Sequence, residues 1–74
     1  MVSVDQLAEE DKTWMLTTFP KFRGLVLRGV NLDAYEKAEF LMTGERTVPD
    51  CSCSYNSYQI KINALYEKWV GQNT

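Results

Sequence analysis

Histidine is absent from this 74-residue chain, and cysteine and proline occur only twice each. Without histidine, the most common general base and the most common nitrogen ligand for metals are both missing. A structural zinc takes four ligands, so Cys51 and Cys53 supply only half of one site, and zinc is expected only if two chains each contribute the pair. The chain has no glycine-rich phosphate loop and no serine beside an evident base, which leaves nucleophilic and acid–base mechanisms without players. The carboxylates Glu9, Glu10, Glu36 and Glu39 fall at helix positions where solvated charge is ordinary. No enzyme is expected, and no catalytic residue, metal or cofactor.

Long apolar runs are also absent, so nothing approaches the length of a membrane span. The first dozen residues carry Asp5, Glu9, Glu10 and Asp11 against Lys12, the reverse of a secretory leader's basic start. A cytosolic setting, or an assembly built in a cytosol, is the expectation. A secreted domain this small would normally carry several disulfides. The two thiols are therefore expected to be free.

The hydrophobic share is 45% and the aromatic share 12%, both globular values. One domain spanning 1–74 is expected, with a core so small that a partner or a second copy is expected to supply part of its stability. Charge is unevenly placed. Lys21, Arg23 and Arg28 form a basic block without an acidic neighbour between Pro20 and Val30, and acidic segments flank it on both sides. Such a block neutralises those segments within the fold or between copies. It is too small for a general nucleic-acid footprint.

Breakers divide the chain into three helices. Ser3-Val4-Asp5-Gln6 reads as a capping box, and Pro20 biases Phe19 out of helix, which predicts a first helix over about 4–18. Val4, Leu7, Ala8, Trp14, Met15 and Thr18 share its inner side, with Asp11 inside that stripe or at its wet edge. A second helix over 32–43 would be capped by Asn31 or Asp33 and stopped at Gly44, with Ala34, Tyr35, Ala38, Leu41 and Met42 inward. A loop follows in which Val48 tucks under the fold and Pro49-Asp50 makes a turn. A third helix over 54–70, stopped by Gly71 ahead of a polar Gln72-Asn73-Thr74 tail, carries Tyr55, Tyr58, Ile62, Leu65, Tyr66 and Trp69 on one broad face. Each buried tyrosine hydroxyl then needs a partner. The expectation is an all-α three-helix domain.

Residues 21–30 are harder to read, because Leu25-Val26-Leu27 suits a buried strand but no second strand exists to pair with it. A structured or short-helical connector bent at Gly24 and Gly29 is expected, with Phe22, Leu25, Val26 and Val30 as candidate core contacts. An intermolecular strand is the alternative.

Cys51-Ser52-Cys53-Ser54 stands directly ahead of the third helix. Unpaired N–H groups and the positive end of the helix dipole favour thiolate there, which would make the pair reactive. The plainer reading is that the cysteines close a turn, with Ser52 or Ser54 supplying the cap. A disulfide between them would close a small, strained ring.

Two apolar side chains break the stripes. At about 100° per residue, Phe40 points about 160° from Ala38, and Ile60 about 160° from Ile62. Both are candidate partner-binding residues, with Phe40 the leading anchor and the basic Lys21, Arg23 and Arg28 next. A protein partner or a second copy is the expected ligand. The competing class is a helix-turn-helix DNA reader using Asn56, Gln59, Lys61, Asn63 and Lys68 of the last helix, but the loop over 45–53 is too long for that motif.

The succession of a helix, a polar turn, the Cys51/Cys53 pair and a closing helix of the form Tyr58-x-x-x-Ile62-x-x-Leu65-Tyr66 resembles small accessory proteins of tailed bacteriophages. The resemblance covers about 33–69, and the Cys-x-Cys spacing here is shorter than in that pattern. It implies a virion or assembly component, or a small inhibitor of a host protein in the bacterial cytosol, rather than an enzyme.

Overall fold

A computed structural model describes residues 2–72. The described chain is all-α, with three helical segments and no strand among the described residues. The first segment is α1 (Glu9–Thr13), continued by a π-helical turn over Trp14–Thr18 and a 3₁₀ turn over Phe19–Phe22. The others are α2 (Val30–Thr43) and α3 (Tyr55–Gln72), the latter entered through a 3₁₀ turn over Ser52–Ser54.

The first segment departs from its expected 4–18 span at both ends. Gln6 Oε1 accepts the Ser3 N–H at 3.0 Å, as the capping box requires, but this caps only a 3₁₀ turn over Val4–Gln6. Leu7 and Ala8 are then extended, with ψ of 149° and 152°. Tertiary anchors explain the break: the Val2 N–H bonds the Met42 carbonyl at 2.8 Å, and Trp69 Nε1 donates to the Val2 carbonyl at 2.7 Å. The bent segment also lays Val4 and Leu7 against the core.

At the other end Pro20 does not stop the helix. Phe19 keeps helical dihedrals (φ −55°, ψ −41°) and donates its N–H to the Trp14 carbonyl five residues back. The wider π turn shifts the hydrogen-bond ladder just before the residue that has no N–H, and Pro20 then sits at the start of a 3₁₀ turn where none is needed.

α2 starts earlier than expected, at Val30, with Gly29 as its cap rather than Asn31 or Asp33. Asn31 instead turns its amide back onto the Val26 carbonyl at 2.9 Å. Gly44 closes the helix in the left-handed conformation (φ 78°), its N–H on the Phe40 carbonyl at 2.8 Å. α3 runs through Gly71 to Gln72, so that glycine is not a stop. Asn73 and Thr74 of the expected tail lie outside the described residues.

The stripes of α2 and α3 meet as expected. Ala34, Tyr35, Ala38 and Met42 are buried from α2, and Tyr58, Ile62, Tyr66 and Trp69 from α3. Met15 and Phe19 enter from the first segment, with the Phe19 ring edge-on to both Tyr35 and Tyr66 at 5.2 and 5.0 Å. Trp14, Leu41, Val48, Tyr55 and Leu65 pack around this cluster. Each buried tyrosine hydroxyl finds an acceptor: Tyr35 on Asn63 Oδ1 at 3.0 Å, Tyr58 on Glu39 at 2.7 Å and Tyr66 on the Met15 carbonyl at 2.8 Å.

Candidate functional site

The connector between the first segment and α2 places its side chains contrary to expectation. Only Leu27 is buried, while Leu25, Val26 and Val30 are exposed, the last two at 70% each. Gly24 (φ 86°) and Gly29 (φ 56°) reverse the chain on either side and present a single side chain inward. Phe22 packs against the core as anticipated.

α3 pins this connector through its polar side chains. Gln59 Nε2 donates to the Leu25 carbonyl at 2.7 Å and to the Tyr35 hydroxyl at 3.3 Å. Arg23 Nε donates to Asn63 Oδ1 at 3.1 Å, and its Nη2 reaches Glu67 at 3.0 Å, with the guanidinium over the Tyr66 ring. Burial raises the Tyr66 phenol above its ordinary pKa, and the Arg23 charge partly offsets this. With the Asn31 bond to Val26, two successive carbonyls of an exposed apolar stretch are satisfied from within the fold.

Beside the connector lies a cleft of about 420 Å³ lined by Val26, Leu27, Arg28, Ser52, Tyr55, Asn56 and Gln59. Lys21 and Arg28 are exposed, and neither makes an ion pair among the described residues. Arg23, by contrast, is spent on anchoring the connector.

Phe40 and Ile60 are exposed, at 44% and 63%. Phe40 lies under the Arg46 guanidinium at 4.7 Å and lines a shallow depression with Asp33, Glu36, Lys37 and Arg46. Ala38 and Ile62 both belong to the core cluster, and Phe40 and Ile60, set about 160° from them on their own helices, point out of it.

On the other flank of α3 a carboxylate read from sequence as solvated is in fact buried. Glu39 is 1% exposed, and accepts from the Tyr58 hydroxyl at 2.7 Å, the Thr47 N–H at 2.8 Å and the Thr47 hydroxyl. Lys61 Nζ stands 3.9 Å away and donates to Thr47 Oγ1 at 2.8 Å. Burial alone would raise the Glu39 carboxyl, but the Thr47 and Tyr58 hydrogen bonds and the Lys61 charge together hold it below its ordinary value. Burial and the Glu39 carboxylate push the Tyr58 phenol well upward. The sequence signal was the 40° offset of Glu39 from Tyr35 on the helical wheel, close enough to the core stripe to be covered by the loop that follows.

The cysteines are also a correction. Cys51 and Cys53 are joined in a disulfide, with Cα atoms 5.3 Å apart, brought within bonding range by the 3₁₀ turn over Ser52–Ser54. Both residues are exposed. No group of three or more residues that could hold a metal ion occurs among the described residues. Nor is any helix among them long and apolar enough to cross a membrane.

Comparison of the chain with protein-family models, curated proteins and solved structures finds no match. The functional reading therefore rests on the residues themselves.

Proposed function

We propose that this chain is a non-enzymatic protein-interaction module whose working surface is the connector over 24–30 and the cleft beside it. One observation carries the reading: polar side chains fix the connector's backbone while Leu25, Val26 and Val30 are held in solvent. Apolar side chains on a pinned backbone lose little further freedom on binding, which favours association. Arg28 at the rim adds a charge that selects an acidic partner.

The setting we propose is a subunit of a larger assembly, with a small virion component as the form that the phage resemblance implies. An inhibitor of a host protein is the second reading of the same surface. DNA recognition is less well supported, because Gln59, Lys61 and Asn63 are engaged within the fold, which leaves Asn56 and Lys68 as its exposed candidates.

The test compares Val26→Ser with Val30→Ser, as a double variant, against the parent by sedimentation and by pull-down from the native source. Loss of association with an unchanged helical spectrum is expected. Phe40→Ser with Ile60→Ser is the control pair and should retain binding. Retention of every association by the connector variant would refute the assignment.

A further inference from the structure

The disulfide is the one covalent feature that neither packing nor the interaction reading uses. A disulfide stabilises a fold chiefly by closing a loop in the unfolded chain, and its effect grows with loop length. Cys51 and Cys53 are separated by two positions and tie no remote elements together. Both lie at the surface, outside the core cluster. A bond that staples nothing and stands open to solvent has the placement of a reactive disulfide rather than a structural one.

The two sulfurs are not equivalent. Cys51 caps the 3₁₀ turn, and its Sγ accepts the Cys53 N–H at 3.3 Å. That turn leads directly into the 18-residue α3, whose dipole is positive at this end. The dipole favours a thiolate on either sulfur, and the Cys53 N–H is what accommodates negative charge better on Cys51. In thiol–disulfide exchange the better-stabilised thiolate is the better leaving group.

We propose that Cys51–Cys53 is a reversible thiol–disulfide exchange site for dithiols, with Cys53 the attacked sulfur and Cys51 the leaving group. A thiolate of the dithiol attacks Cys53 Sγ. The S–S bond breaks, its electron pair leaves on Cys51, and a mixed disulfide joins Cys53 to the reagent. The second thiol of the reagent, deprotonated, then attacks the reagent's own sulfur in that mixed disulfide and releases Cys53 as thiolate. The two protons lost by the dithiol end on Cys51 and Cys53. The protein is reduced by two electrons, and the dithiol is oxidised to its cyclic disulfide.

The experiment exposes the folded full-length protein to dithiothreitol at graded ratios of its reduced and oxidised forms, alkylates free thiols and weighs the product. Reversible gain and loss of two alkylated cysteines, with an unchanged helical spectrum, is expected. A pair that stays unreduced until the protein unfolds, a pair that never oxidises, or a loss of helix on reduction would each overturn the proposal. Regiochemistry is read separately with glutathione, the first mixed disulfide being trapped by acid quench before the freed cysteine or a second glutathione resolves it. Tandem mass spectrometry should place glutathione predominantly on Cys53, and placement on Cys51 would reverse the assigned roles.

Discussion

Two loops pack against the α2–α3 pair, and opposite chemistry holds them there. The loop after α2 sends polar groups inward, where Thr47 binds the buried Glu39 carboxylate through both its N–H and its hydroxyl. The connector before α2 is reached from outside itself: Gln59 and Asn31 bind its carbonyls while Leu25, Val26 and Val30 face water and only Leu27 turns inward. A buried charge is tolerated only when its acceptor sites are filled, so the first loop's contacts are obligatory for the fold. Exposed apolar side chains add little to folding, so the second loop's side chains are free to serve association.

The sharpest way to break the contrast is Glu39→Ala. It leaves the Tyr58 hydroxyl buried without its acceptor and frees Thr47, which should cost about 3 kcal/mol in urea unfolding. Tyr58→Phe removes one charge-assisted bond and should cost about 2 kcal/mol. The double variant should cost less than the sum, because both changes act on one network. A Glu39→Ala loss no larger than that of an ordinary surface substitution would erase the difference between the loops.

Acid provides a graded version of the same test. The folded Glu39 carboxyl titrates below its ordinary value of 4.5, so its contribution is fully present above that pH. It is lost as pH falls from there through the lowered folded value. Stability followed by chemical denaturation should decline over that acid range in the parent, and less steeply in Glu39→Gln. Tyr58 and Tyr66 carry the opposite sign, since their folded values are raised above 10.0. Their contribution is complete below that pH and should fall as alkali titrates the unfolded chain first. Tyr58→Phe should flatten this alkaline decline.

On the connector side the expected effects are smaller. Gln59→Ala removes the bond to the Leu25 carbonyl and should cost about 1 kcal/mol, with faster amide exchange between Gly24 and Val30. Glu67→Gln should cost under about 0.5 kcal/mol, because the carboxylate paired with Arg23 is largely exposed.

The contrast between these loops also marks what the sequence could disclose. The stripes of α2 and α3 were legible because helical periodicity survives wherever a helix packs on one side, and Ala34 to Met42 and Tyr58 to Trp69 obey it. Gly44 was legible because a left-handed cap has a strong residue preference. The break at Leu7-Ala8 was not, since its cause is the distant pairing of Val2 with Met42 and Trp69. Pro20 misled because a π turn can absorb it. The burial of Glu39 is not legible because it comes from a loop folding back over the helix, nor is the exposure of Val26 and Val30, because apolar character does not say which way a glycine-bent connector turns. The exposure of Phe40 and Ile60 follows from their offsets of about 160° from Ala38 and Ile62.

Val26→Ser and Val30→Ser carry the smallest expected effect on stability and decide most about the comparison. Both side chains are mostly in solvent, so the apolar area they remove from water on folding is small, and each change should stay within about 0.5 kcal/mol of the parent. Leu27→Ser, between them in sequence, replaces a buried leucine and should cost several times more, about 2–4 kcal/mol. Urea unfolding of the three single variants therefore measures which side chains of the connector belong to the core. If Val26→Ser proved as damaging as Leu27→Ser, the connector would be holding the fold with both side chains, and it would no longer differ in kind from the loop that binds Glu39. If the expected order holds, the connector spends one leucine on folding and keeps two valines for contact with another surface.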